Sequence, residues 1–151
     1  MSSTYVRDQI KSYLTANMPT ETQIDLSDKF ESIDDVISDA GLTRNDPWLG
    51  LEFIANIEEP ITVQSNWGKG VYREIGVVMF HVVDIAKLGA ANAILPRAEA
   101  IRNILRGRRI GDIIIESVTP PNFNQGATLN FEAGYCAAIV MCSYEYDLVI
   151  S

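Results

Sequence analysis

Arg73-Glu74-Ile75-Gly76-Val77-Val78-Met79-Phe80-His81-Val82-Val83-Asp84 carries apolar residues at successive positions rather than at alternate ones. Successive side chains of a strand point to opposite faces, so a run that is apolar on both belongs in the middle of a sheet, covered on either side. It is the expected core strand. Upstream, from Trp48 to Ile57, the residues Leu49, Leu51, Phe53, Ala55 and Ile57 alternate with mostly polar partners, the period of a half-buried strand. Pro60 is expected to interrupt this strand, with a further strand from Ile61 to Ser65. The five residues Asn66-Trp67-Gly68-Lys69-Gly70 then turn the chain back as a hairpin loop, and the return strand starts near Tyr72.

Downstream, after Gly89, residues Ala93 to Arg106 predict a helix with Pro96 in its first turn, Ile94, Ala98, Ile101 and Leu105 on its inner stripe, and Gly107 as its stop. Ile113-Ile114-Ile115 opens a strand that ends at Thr119-Pro120-Pro121. A polar loop leads to the last strand, near Asn130 to Tyr146, and the two should pair as a second hairpin. At the other end, Tyr5, Val6, Ile10, Tyr13 and Leu14 have helical spacing over residues 4 to 17, with Ser3 or Thr4 as cap and Pro19 as barrier. Residues 20–47 form an acidic segment in which Ile33, Val36 and Ile37 suit a short helix ended by Gly41, before the break at Asn45-Asp46-Pro47. The order predicts an α+β fold in two layers, a mostly antiparallel sheet of four to five strands against an N-terminal and a central helix. A single domain spans residues 1–151.

The 151 residues carry a net charge of −8, which argues against nonspecific nucleic-acid binding over the whole surface. The charge is polarised: residues 21–59 hold eleven acids against Lys29 and Arg44, and residues 60–111 hold eight basic residues against three acids. Such a chain can pair head to tail with copies of itself, one subunit's acidic side meeting the next one's basic side; two solvated faces are the plainer alternative. No basic-then-apolar leader opens the sequence and no apolar stretch approaches the ~18 residues of a membrane helix, so a cytosolic protein without a membrane partner is expected. Cys136 and Cys142 share a face of the last strand and read as buried free thiols.

Catalysis near neutral pH needs a titratable group with a partner to orient it. The one histidine, His81, sits within the most apolar strand, and its candidate partners in a rival small-molecule pocket are Asp84 or Tyr135. One His, two Cys and no clustered carboxylate loop supply no metal site. Gly68-Lys69-Gly70 lacks the third glycine and the Lys-Ser/Thr pair of a phosphate loop. No catalytic, cofactor-binding or metal-binding residue is therefore assigned. Arg97, Arg102, Arg106, Arg108 and Arg109 form the densest same-sign cluster, more than helix capping requires, although Glu99 can pair with Arg102. Together with Trp67 and Lys69 at the hairpin tip, and Phe123 and Asn124 in the loop from Pro120 to Thr128, they are the candidate contacts with subunits or partners.

The run from Tyr72 to Val83, the helix with Ala98-Glu99-Ala100-Ile101-Arg102, the break Arg106-Gly107-Arg108 and the ending Cys142-Ser143-Tyr144-Glu145-Tyr146-Asp147 resemble the tail terminator proteins of long non-contractile phage tails. The resemblance extends from about Trp48 to the end and rests on pattern and element order. It implies a small α/β-type fold assembled as a hexameric ring at the head-proximal end of the virion tail. The ring, put together in the host cytoplasm, would cap the tail-tube protein and face a head-side connector protein, with DNA passing through its lumen unread. Related folds serve as head-completion or connector adaptors, so that station stays open. Glu21 to Asp46 matches no pattern of the family.

Overall fold

The computed structural model describes residues 3–27, 33–43, 46–61, 70–85, 90–122 and 135–150. In chain order the elements are α1 (Thr4–Asn17), β1 (Gln23–Asp25), α2 (Ile33–Asp39), β2 (Trp48–Pro60), β3 (Gly70–Ile85), α3 (Ala90–Leu105), β4 (Arg109–Ile110), β5 (Ile113–Val118) and β6 (Tyr135–Ile150). The fold is α+β. Its strands form one sheet in the order β1-β2-β3-β6-β5-β4, antiparallel except for β1, which runs parallel to β2. The expected four to five strands become six because β1 and β4 are too short for alternation to announce them.

The core strand lies where its two-faced apolarity puts it, with β2 on one side and β6 on the other. Val78, Phe80 and Val82 of β3, with Leu51 of β2 and Val140 and Tyr144 of β6, pack beneath Ile10 and Leu14 of α1 and Ile94, Ala98 and Ile101 of α3. Each large side chain fully buried there contributes about 1.5–3 kcal/mol. A smaller cluster of Ile24, Leu26, Val36, Ile37, Trp48 and Val83 covers the opposite face at the end where β2 begins, so α2 adds a partial third layer to the two expected.

Helix α1 has the boundaries its spacing predicts. The Ser3 hydroxyl accepts from the Val6 amide at 3.4 Å, and the Met18 amide closes the far end on the Leu14 carbonyl. Glu74 ties its start to the sheet, accepting from the Ser3 amide at 3.1 Å and from the Tyr144 hydroxyl at 2.7 Å. Pro60 is the last residue of β2, paired opposite Tyr72; Ile61 beyond it is outside the strand, although its amide donates to the Val71 carbonyl. Pro60 is tolerated because, along this part of β2, no described strand lies on its outer side. The expectation for Pro96 is corrected: α3 starts at Ala90 and places it in the interior, where it has no amide for the Asn92 carbonyl. The buried stripe of Ile94, Ala98, Ile101 and Leu105 is as expected. The last strand runs on past Tyr146 to Ile150, and residues 62–69, with the expected second strand and hairpin loop, lie outside the described residues.

Two register shifts, between Ala55 and Ile57 in β2 and between Ile115 and Ser117 in β5, fall on one row of the sheet, the row on which Gly76 stands opposite Tyr144. Extra residues of this kind bend a strand and increase its twist. Gly76 is required there: a Cβ would come within 2.5 Å of both the Ile54 carbonyl oxygen and the Tyr144 hydroxyl. At the β1 edge, Arg7 (2.7 Å) and Lys11 (2.6 Å) of α1 hold Asp25. Burial pushes the Asp25 carboxyl up, but hydrogen bonds from Lys11, Arg7 and Ser27 outweigh it and bring it from 3.8 down to about 2.

Gly76→Ala is expected to destabilise the fold by about 1–3 kcal/mol in urea unfolding, since neither neighbour is the free end of a flexible chain. A folded pKa below the unfolded one means stability that is present above the unfolded value and lost as pH falls through the folded one. Asp25→Asn should therefore remove about 1 kcal/mol at neutral pH, discounted for partial solvation. It should also flatten the decline between about pH 4 and about pH 2; an unchanged acid limb would show that another carboxylate carries it.

Candidate protein-docking face

Alternation along β3 sends Ile75, Val77, Met79, His81 and Val83 to the face away from α1 and α3. The register extends each into a row across the sheet. Val83 and His81 lie in the part covered by the smaller cluster. Met79 beside them is buried too, and beyond it no described element covers the face. One row reads Ile57, Ile75, Glu145 and Ile114, the next Glu59, Arg73 and Asp147, and the last Ile61, Val71 and Val149. Of the seven large apolar side chains exposed among the described residues, Ile57, Ile61, Ile114, Met141 and Val149 stand on this face; Val149 is 70% exposed and Ile57 50%. Exposed apolar residues scattered singly need no explanation, but five gathered on one face mark a surface made to be covered.

Charge crosses the middle of it. Arg73 donates to both Asp147 oxygens, at 2.8 and 2.9 Å, and lies 3.6 Å from Glu145; these bonds hold the Asp147 carboxyl below its ordinary range. Glu116, at the register shift of β5, stands beside Glu145, whose hydrogen bond and charge hold the Glu116 carboxyl above the ordinary range. Arg109 pairs opposite Ile114, so it reaches this face at the β4 edge, 3.9 Å from Asp112. The bare part thus carries the carboxylates Glu59, Glu116, Glu145 and Asp147 against Arg73 and Arg109.

The arginines grouped by sequence separate in space. Arg97 turns inward: its guanidinium grips both Glu21 oxygens at 2.7 Å and donates to the Val83 and Trp48 carbonyls at 3.2 Å, joining α3 to the starts and ends of two strands. It is a structural clamp. Arg102 is half-buried, whereas Arg106 and Arg108 are exposed around Gly107, whose φ of 67° turns the chain from α3 into β4. Trp67, Lys69, Phe123 and Asn124 lie outside the described residues. Part of the charge polarity along the chain is also spent internally, since Glu21 pairs with Arg97, and Asp25 with Arg7 and Lys11.

Of the rival pocket's residues, His81 and Asp84 are an odd number of residues apart on one strand and face opposite sides of the sheet, and His81 Nε2 lies 3.2 Å from Glu52 Oε2. The Tyr135 side chain lies outside the described residues. Burial pushes the Cys142 thiol up to about 12, so it is protonated at neutral pH. Among the described residues no group of three or more His, Cys, Asp or Glu side chains is placed to hold a metal ion, and no helix is long and apolar enough to cross a membrane.

The face itself escaped the sequence reading, although Ile113-Ile114-Ile115 signalled it: three β-branched residues in a strand near a sheet edge leave the middle one on the far side. Arg97→Met is expected to lower unfolding free energy by about 2–4 kcal/mol, because it strands Glu21 and two carbonyls. Arg106→Glu, on the exposed corner, should stay within about 0.5 kcal/mol of wild type. Equal losses would place both arginines in the same structural role. No family model matches the chain, and no curated protein matches it.

Proposed function

We propose that this chain is a structural virion assembly protein, a tail terminator whose copies close into a ring that caps the tail tube and offers a surface to the head-side connector. The observation that carries the reading is the bare apolar face, with Ile57, Ile61, Ile114, Met141 and Val149 in water on one side of a single sheet. Covering such side chains gains about 1.5–3 kcal/mol for each that is fully buried, which favours a protein that works by being docked against. Head-to-tail contacts close into a ring when the rotation between subunits allows it. The order of elements and the residues resembling the tail terminators supply the station in the virion and the hexameric count. DNA passes through such a lumen without specific contacts, as befits a chain of net charge −8.

Sedimentation and native mass measurement at micromolar protein, with imaging of the particles, test the reading. A closed ring with a central hole that binds tail-tube protein is expected. A strictly monomeric species that binds no tube protein overturns it, and a ring that binds head-side partners alone moves it to the connector adaptors.

A further inference from the structure

We infer that the bare sheet face is the seat for the corner around Arg106 and Arg108 of a second copy of this chain, so that neighbouring subunits join corner to face. The inference rests on the assembly reading above and adds which surfaces meet.

Charge complementarity selects the occupant. The face holds more carboxylates than arginines, with Glu59 and Glu116 exposed. Arg106 and Arg108 are exposed, and among the described residues neither has a carboxylate within ion-pair distance; Arg106 donates to the Asn103 side chain. Two copies meeting face to face would set carboxylates against carboxylates, so a symmetric contact of that kind is disfavoured. The corner leaves α3, which packs on the covered side of the sheet, and among the described residues neither Arg106 nor Arg108 is paired with a carboxylate of its own subunit's bare face. A second copy can supply that contact.

The chemistry of arginine suits the seat. Its alkyl stem lies along apolar side chains such as Ile57 and Ile114, and its planar guanidinium bridges two carboxylates. Glu116 and Glu145 are adjacent carboxylates with one arginine, Arg73, nearby. A guanidinium brought in by a neighbour relieves the repulsion between them. The acidic half of the contact is therefore the sheet face, to which the acidic stretch of residues 21–59 contributes Glu59 while Glu116, Glu145 and Asp147 come from beyond it.

Charge exchange tests this. Glu116→Arg on the face and Arg108→Glu at the corner should each weaken self-association by about tenfold or more in sedimentation velocity, with unchanged circular dichroism. Mixed one to one, the two should recover assembly, since each supplies the half that the other has reversed. Glu59→Arg replaces Glu116→Arg if that variant does not fold. Wild-type association in both variants, loss in one alone, or no recovery on mixing overturns the corner-to-face contact while leaving the assembly reading standing. A monomeric wild type overturns the assembly reading itself.

Discussion

The ladder between β3 and β6 runs from Gly70 opposite Ile150 to Ile85 opposite Tyr135 without a register shift, and every other placement follows from it. A slip of one residue would exchange the two faces of the sheet, carrying Phe80 out of the core and Arg73 into it. With the register held, Val78, Phe80 and Val82 face α1 and α3, and Ile75, Val77 and Met79 face away. The helices cover one side over the core, leaving Leu148 at its far end exposed. On the other, cover stops at the cluster around Trp48, and the chain supplies no further described element to extend it.

That limit explains which parts of the fold were legible. α1, the buried stripe of α3 and the central position of β3 rest on periodicity over a dozen or more residues, which the sequence displays directly. β1 spans three residues, and its identity depends on the parallel pairing of Ile24 with Gly50, a contact with no local signature. Pro96 lies inside α3 rather than in its first turn, because the helix begins at Ala90, ahead of the apolar periodicity that starts at Ile94.

The docking face was hidden by a similar ambiguity. Two-faced apolarity in a strand usually means burial on both faces. In β3 the outward face is buried at Met79, His81 and Val83 and half-buried at Val71, Ile75 and Val77, while the exposed apolar residues stand elsewhere on that face. Arginines show the converse. Arg97 and Arg106 belong to one cluster in the sequence, yet one is locked among Glu21 and two backbone carbonyls while the other stands in solvent. Neighbours far along the chain made the difference, Glu21 being the nearest of them in space.

The long ladder also governs when the molecule can become itself. β3 is completed by residues 135–150, so one of its edges stays unpaired while the intervening helix and strands are being synthesised. Contacts so distant in sequence form slowly, because the loop must close before any of them is rewarded. A nascent chain that has emerged only as far as α3 has β2 to pair with one edge of β3 but leaves the other edge open, and its exposure to premature association ends only when the last strand arrives.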